Sequence, residues 1–334
     1  MAASSNILEV SGPTPELSFR INLLFQDNPD VVKNILAVLP LRSLLLHVVV
    51  AGETIYMPAP SISLASKNMV ERRMGTVYYN TTSQSICICY GAVTESTPVN
   101  QFAQVVEEDF PKLAELGKLV YEQTVSIRLP TIIETIIRKP GDNPLQPLER
   151  SLPSHGKFDG SWQSAKETID DEIASLRVPE EPDEIRSIRL GATRARAGSE
   201  GSSMQTIIFL QGFLSTLGPH IFSRLLTIST YKEMTLPLMI RQTRAFLTET
   251  FNHFEFLADL GLGKMSKLGD MYSEALDTLT TMEDYRQLTD SMRTLIQLLY
   301  RWLHLIFPWY LKDQFQSRRP EDVSSMPKLK KYSS

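Results

Sequence analysis

The sequence contains only two cysteines among 334 residues, and its 34 basic residues do not exceed its 38 acidic ones. So few cysteines cannot build a disulfide scaffold, and we expect a reduced, intracellular protein. The formal charge of −4 lacks the basic surplus with which a non-specific nucleic-acid binder displaces counterions, so we expect no nucleic-acid partner. Hydrophobic residues still make up 42% of the chain, which is enough to give about two domains a buried core.

No long hydrophobic run is present either. The most apolar early stretch, residues 31–52, is interrupted by Lys33 and Pro40, and the late stretch, residues 295–311, contains Arg301. A bilayer span needs about 20 uninterrupted apolar residues. The first residues also lack the basic and apolar regions of a secretory signal. We therefore expect no membrane partner and a cytoplasmic location.

Several catalytic motifs are missing. The sequence contains no GxGxxG fingerprint, no GxxxxGK[ST] phosphate loop, no GxSxG elbow and no HExxH pair, which argues against nucleotide-binding folds, serine hydrolases and zinc proteases. The five histidines are scattered, and no second cysteine pair accompanies Cys87 and Cys89. We expect these two cysteines to be buried free thiols on one strand face, and we expect neither a metal nor a cofactor.

The first part of the chain is rich in short predicted strands separated by turn residues, which is typical of a barrel or a sandwich. Two helices interrupt this pattern. The predicted strands cover residues 17–25, 44–50, 52–57, 75–80, 85–90 and 120–129, and the predicted helices cover residues 29–39 and 111–117. We assign residues 1–140 to a β-barrel domain.

The second part is predicted to be helical. Residues 141–203 form a crossing segment with one short helix, which a capping box of Ser164 and Glu167 would begin, and a charged stretch that is either a linker or a lid. Apolar residues at helical spacing then predict an α-helical bundle over residues 204–316, followed by a flexible tail over residues 317–334. The bundle helices are expected at residues 204–217, 219–229, 233–260, 265–282 and 284–307, with Gly218 and Pro219 ending the first of them. The predicted fold class is α+β.

Three segments of the barrel together resemble a known family. They are GETIYMPAP (residues 52–60), GTVYYNTTSQSICICYG (residues 75–91) and PVNQFAQVVE (residues 98–107). This series resembles the small cyclophilin-like barrels of bacterial proteins, although Ala103 stands where that family tends to glycine. A cyclophilin-like barrel followed by a helical bundle is similar to the cucumopine and mikimopine synthases, the opine synthases of Agrobacterium T-DNA and of plants that retain such DNA.

The resemblance implies a specific reaction. These enzymes join L-histidine to 2-oxoglutarate through an imine, which an imidazole ring carbon attacks in a Pictet–Spengler closure to cucumopine or mikimopine. No reduction takes place, which agrees with the missing dinucleotide fingerprint. The resemblance also implies cytoplasmic expression of a T-DNA-derived gene in a plant cell, and the helical domain is compatible with a homodimer.

This chemistry needs a general acid, a general base and donors for three carboxylates. For acid–base catalysis the candidates are Lys166, Glu53, Lys157 and His155, each of which has an ordinary alternative as a solvated or surface residue. For substrate binding they are Tyr56, Tyr79, Tyr90, Asn100, Arg194 and Arg196. The tyrosines could equally pack in a core, Asn100 could close a turn, and the arginines could belong to an ordinary charged linker.

Two other functions remain open from the sequence. One is a non-enzymic protein that binds a small molecule or a partner and oligomerises through its helical domain. The other is an NADPH-dependent opine dehydrogenase, against which the missing GxGxxG motif argues.

Overall fold

An antiparallel β-barrel occupies the N-terminal part of the chain. The computed structural model describes residues 6–60, 67–127, 129–142, 158–192, 203–249 and 252–309. The strands are β1 (Ile7–Val10), β2 (Phe19–Leu23), β3 (Leu41–His47), β4 (Gly52–Pro58), β5 (Met69–Val70), β6 (Thr76–Asn80), β7 (Ser85–Val93), β8 (Val99–Val105) and β9 (Ile133–Arg138). Eight of them pair in the order β2-β1-β9-β3-β4-β7-β6-β8, and β8 pairs back with β2, which closes the barrel. The short strand β5 pairs with β8 outside this ring.

Side-chain alternation divides each strand between two environments. Ile55 and Met57 of β4 belong to the core inside the barrel, together with apolar residues of helices α1 (Pro29–Ala37) and α2 (Phe110–Tyr121). Tyr56, between them, belongs instead to the core that the barrel shares with the C-terminal helices. The outer face of β4 and its neighbours is therefore an interface with the helices.

The C-terminal helices pack around one long central helix. They are α3 (Trp162–Leu176), α4 (Asp183–Arg189), α5 (Ser203–Ser215), α6 (Ser223–Ile228), α7 (Leu236–Arg244), α8 (His253–Asp259), α9 (Lys264–Ala275) and α10 (Met282–Ile306). A capping box begins α10, because the Thr281 side chain accepts from the Asp284 N–H and the Asp284 side chain bonds back. The indole N–H of Trp302 donates to the Leu176 carbonyl at 2.9 Å, which ties α10 to α3. The architecture confirms the predicted α+β class, a β-barrel followed by a helical bundle.

One predicted strand is wrong. The described residues of the stretch 120–129 do not form a strand: α2 runs to Tyr121 and a π-helical turn follows over Glu122–Ser126. Val120 and Thr124 are buried at helical spacing, and the Thr124 hydroxyl donates to the Val120 carbonyl at 2.6 Å. These β-branched residues are thus buried and hydrogen-bonded in helical structure. The last strand of the barrel is β9.

The predicted helix boundaries also need correction. Helix α3 is capped by Ser161, whose hydroxyl accepts from the Ser164 N–H, and not by a Ser164 capping box. Gly218 and Pro219 do not end a helix, because they lie in a π-helical turn (Thr216–Phe222) that continues into α6. The wider turn accommodates a residue without an N–H donor.

Two further stretches differ from the sequence prediction. Residues 233–260 do not form one helix: α7, a π-helical turn (Ala245–Glu249) and α8 follow one another, and Asn252 caps α8. The charged stretch at residues 178–203 includes helix α4, whose Ile185 and Ile188 are buried. The predicted domain boundaries stay a prediction, and the tail at residues 317–334 lies outside the described residues. No helix in the described ranges is long and apolar enough to cross a membrane.

Candidate functional site

A row of polar side chains lies between the barrel and the helices. Tyr56 of β4 pairs in register with Cys87 of β7, and Cys87 pairs with Tyr78 of β6. The three side chains point to the outer face, and each residue is only 3% exposed. We refer to Tyr56, Cys87 and Tyr78 as the interface row. A cationic side chain covers each end of it.

Arg301 of α10 covers the Tyr56 end. Its guanidinium carbon lies 4.4 Å from the centre of the Tyr56 ring, and its Nη2 donates to the Ser83 carbonyl at 2.8 Å and to the Ser85 hydroxyl at 2.9 Å. No carboxylate of the described residues pairs with Arg301, and its buried Nε has no hydrogen-bond partner there. An unneutralised buried cation is costly unless an anion joins it.

The Tyr56 hydroxyl makes no hydrogen bond of ordinary length and angle among the described residues, and the charged group that acts on it is Arg301. Burial raises the pKa of Tyr56 to about 12, so the hydroxyl stays protonated and can donate near neutral pH. Burial likewise raises the pKa of the Cys87 thiol to about 12, which makes it a poor nucleophile. The row therefore offers a neutral hydrogen-bond donor beside a free cation.

Arg72 covers the Tyr78 end. Its Nη2 lies 3.0 Å from Glu95 Oε2, and its Nη1 donates to the carbonyls of Glu95 and Thr97 at 3.1 and 2.6 Å. Its Nε donates to the Tyr78 hydroxyl at 3.4 Å. The Arg72 side chain is 6% exposed and that of Glu95 is 44% exposed, so Glu95 is the solvent-facing carboxylate of this end.

Tyr56 and Tyr78, over whose rings the two guanidinium groups lie, are two strand spacings apart, or about 10 Å. Arg301 can bind a carboxylate directly, and Arg72 can bind one in exchange for Glu95. Glu95 can accept or return a proton close to Arg72. The arrangement suits a ligand with carboxylates at both ends and a reacting centre between them.

A cavity of about 70 Å³ adjoins Arg301 on the side away from Tyr78. It lies between α10, the end of α3 and the tip of the β6–β7 hairpin. Arg42, Arg177, Gln84 and Gln297 line it with Arg301, and the remaining lining is mainly apolar. The site thus continues beyond the interface row.

The structure places the predicted site residues in several locations. Tyr56 lies in the interface row. Glu53 and Tyr90 meet instead at the interior end of the barrel, where Tyr90 Oη lies 2.9 Å from His47 Nε2 and Glu53 Oε2 accepts from the Ala92 N–H. Burial, and next to it the charge of Glu53, raises the pKa of Tyr90 to about 12. This second cluster could support proton transfer, but none of its three residues is an arginine or lysine that would bind a substrate carboxylate.

Other predicted residues have structural partners. The Tyr79 hydroxyl donates to the Pro60 carbonyl at 2.9 Å, and the Asn100 side-chain oxygen accepts from the Asn28 amide at 2.7 Å. Lys166 forms an ion pair with Asp170 one turn along α3. The remaining candidates lie outside the described residues; they are His155, Lys157, Arg194 and Arg196.

Sequence reasoning missed Arg72, Glu95 and Arg301. Arg301 did leave a signal, because it is a cation within the apolar stretch at residues 295–311. Arg72 and Glu95 left none, since their meeting depends on how the β6–β7 hairpin and the following loop fold together. Among the described residues, no three His, Cys, Asp or Glu side chains converge as a metal site would require.

Comparisons with known proteins show what the chain is similar to. Residues 167–306 match the family model of the cucumopine synthase C-terminal helical bundle domain. The fold is similar to the structure of McbB in complex with tryptophan, with a TM-score of 0.80 and 25% sequence identity over 92% of this chain and 100% of that one. The solution structure of the hypothetical protein AF2241 from Archaeoglobus fulgidus matches 42% of this chain and 99% of its own, at 14% identity and a TM-score of 0.29. No curated protein matches the chain. The first two findings confirm the resemblance noted in the sequence.

Proposed function

We propose that this chain, whose helical part carries the cucumopine synthase C-terminal helical bundle domain, condenses L-histidine with 2-oxoglutarate. The domain match and the likeness to McbB support an opine-synthase-like Pictet–Spengler enzyme. The two substrates, the product and the absence of any cofactor are our proposal.

The identity of one substrate is supported by the McbB comparison. McbB was solved in complex with tryptophan, an amino acid whose aromatic ring offers a nucleophilic carbon. Histidine offers the same combination of an α-amino group and a ring carbon at a suitable distance. A histidine adduct also brings the carboxylates that the two covered ends of the interface row could bind.

The observation that carries the proposal is that Arg301 is a buried cation without a carboxylate partner among the described residues. It lies over Tyr56, and its Nε is unsatisfied. A substrate carboxylate would neutralise this charge and take up the free donor. Arg189, by contrast, already has a carboxylate partner in Glu181. Arg72 is likewise paired with Glu95 and would exchange that partner for a substrate carboxylate.

The reaction can be divided among the residues of the site. Arg301 binds the carboxylate next to the ketone of the oxo acid, and Arg72 binds the carboxylate of the amino acid. The amine adds to the ketone, and the resulting carbinolamine loses water as the Tyr56 hydroxyl donates a hydrogen bond to the departing oxygen. The imine nitrogen takes up a proton, the ring carbon attacks the resulting iminium carbon, and the C=N electron pair passes to nitrogen. Glu95 then removes the proton from the attacking ring carbon, which restores the aromatic ring, so one proton is taken up and one is released. No electrons are gained or lost in the sequence.

Product formation tests this function. Purified protein with L-histidine and 2-oxoglutarate, and without reduced nicotinamide or added metal, is expected to produce an adduct lighter than the two substrates by one water. Mass spectrometry measures its rate against the uncatalysed reaction. An adduct that forms no faster than the background would reject the enzyme and favour the alternative, a binding protein that substrates stabilise thermally without turnover.

A matched pair of variants tests which carboxylate is the base. Glu95→Gln removes the base that we place beside the interface row, and we expect kcat to fall by about 10²-fold or more. Glu53→Gln changes the barrel-end cluster and is expected to leave kcat close to that of the unmodified protein. The reverse pattern would move the reaction to the barrel end and would contradict the assignment to the interface row.

A further inference from the structure

The cavity beside Arg301 is built by the contact of a hairpin tip with a helix. Gln84 Nε2 donates to the Thr294 hydroxyl at 2.9 Å, and Gln297 Nε2 donates to the Thr82 carbonyl at 2.8 Å. Gln84 has a left-handed backbone with φ 47°, which is uncommon for a residue other than glycine. Backbone strain of this kind tends to occur where function requires a particular geometry.

The lining of this cavity is strongly cationic. Arg42, Arg177 and Arg301 contribute three guanidinium groups. Glu134 pairs with Arg42, with 3.4 Å between its Oε2 and Arg42 Nη1, whereas Arg177 and Arg301 have no ion pair within the described ranges. Arg177 is exposed and stands at the mouth of the cavity, whereas Arg301 is buried. Neither of them has a carboxylate of the described residues to balance its charge.

Unsatisfied polar atoms accompany this charge. Gln297 is buried and its side-chain oxygen has no partner among the described residues, as is true of the Gln84 oxygen and of Arg301 Nε. The Thr82 carbonyl fixes the orientation of the Gln297 amide, because a carbonyl can accept only from the amide nitrogen. Each free oxygen can accept from a water that donates its other hydrogen to an anion. Between these atoms, Leu298, Trp302 and Leu305 provide an apolar wall.

We propose that this cavity binds the side-chain carboxylate of a dicarboxylic 2-oxo acid, and that Arg177 determines the preference for dicarboxylic over monocarboxylic oxo acids. The assignment rests on the proposed function, in which Arg301 holds the carboxylate next to the ketone. The acid extends from Arg301 away from the interface row, its methylene groups lie against the apolar wall, and its far carboxylate meets Arg177. A cavity of about 70 Å³ suits such a narrow arm better than an aromatic side chain.

Steady-state kinetics with two oxo acids test the assignment. For Arg177→Gln we expect the KM for 2-oxoglutarate to rise about tenfold or more, because a charge-assisted contact to the far carboxylate is lost. The KM for pyruvate, which has no far carboxylate, should not change. Arg177→Lys should recover part of the loss, and Arg241→Gln, at an exposed position of α7, serves as the control. Equal changes with both acids, or no change with either, would overturn the proposal.

Binding of an unreactive dicarboxylate separates this proposal from the reaction itself. Glutarate has two carboxylates and no ketone, and we expect it to raise the Tm of the protein more than butyrate does, with the difference lost in Arg177→Gln. If no condensation is detected but this pattern holds, the anion site stands and the proposed function fails. If condensation occurs while Arg177→Gln affects neither the KM ratio nor the glutarate effect, the function stands and the anion site is wrong.

Discussion

Tyr56 and Arg301 meet where α10 crosses the barrel, and each has one polar group that its neighbours leave unsatisfied. The Arg301 Nε and the Tyr56 hydroxyl are buried polar groups without partners among the described residues. Such groups lower the stability of a fold, by about 1–3 kcal/mol each in mutational series. In our account, the fold retains two such groups side by side because they bind a ligand.

Removal of the Tyr56 hydroxyl tests whether this group serves activity or stability. We expect Tyr56→Phe to leave the free energy of unfolding unchanged or to raise it by up to about 1 kcal/mol, because the lost group has no partner to leave behind. The same change should lower kcat, since the departing water loses its donor. Urea unfolding and initial rates measure the two effects. A clear loss of stability with full activity would show that the hydroxyl is structural.

At this scale the sequence predicted some residues and missed others. Tyr56 could be proposed because a strand tyrosine in the GETIYMP segment has a defined face. Arg301 and Arg72 could not be proposed. Arg301 is important because it lacks a carboxylate partner, and Arg72 because it is paired with Glu95. A single sequence does not show which charges will find partners after folding.

At the scale of elements, α10 is attached to the barrel through a histidine. His304 Nε2 donates to the His47 carbonyl of β3 at 3.1 Å, and its Nδ1 lies 3.3 Å from the Gln211 amide of α5. Burial, followed by the nearby charge of Arg301, lowers the pKa of His304 to about 4. The ring is therefore neutral in the folded protein at neutral pH.

This pKa predicts how stability depends on pH. Between pH 6.5 and about 4 the unfolded chain binds a proton at His304 that the folded protein does not, so stability falls as the pH decreases through this window. The loss attributable to His304 is up to about 3 kcal/mol. Urea unfolding across this range should show a flatter profile for His304→Gln than for the exposed control His220→Gln. Parallel profiles would contradict the buried neutral ring.

Element type was predictable where the apolar spacing was long and regular. Helix α10 occupies residues 282–306 where the sequence predicted 284–307, and β4, β6 and β7 lie within a few residues of their predicted places. The end of α2 was not predictable, because β-branched residues in a short stretch fit either structure. Its placement depends on Gly117, where an added Cβ would lie 2.2 Å from the Tyr90 ring.

At the scale of the whole molecule, the barrel and the helices share one core. Leu46, Tyr56, Tyr78, Cys87 and Cys89 of the barrel belong to the same buried cluster as the helical core. The barrel also has an interior core of its own. Because the shared cluster includes both parts, separating them would expose buried apolar surface, and we expect them to unfold together.

Two natural probes can test this cooperativity. All three tryptophans, Trp162, Trp302 and Trp309, lie in the helical part, and both cysteines, Cys87 and Cys89, lie in the barrel. Tryptophan fluorescence and thiol labelling in guanidinium chloride should therefore report a single transition with the same midpoint. Midpoints that differ clearly would show that the barrel and the helices are independent units.

The α+β organisation followed from composition and periodicity, and the reaction followed from resemblance. The location of the site between the two parts could not be read from the sequence, because it arises from contacts between residues more than 200 positions apart, such as Ser83 and Arg301. The expected homodimer and the cytoplasmic location stay predictions.

The central claim is that the site around the interface row catalyses a ring closure between the two substrates without reduction. Proton NMR of the product formed from L-histidine and 2-oxoglutarate tests it most directly, because an open imine and a cyclised product have the same mass. We predict that one imidazole C–H resonance disappears as the adduct forms, and that Arg301→Gln greatly slows this loss. An adduct that retains both imidazole C–H resonances, or one heavier by two hydrogens, would contradict the account.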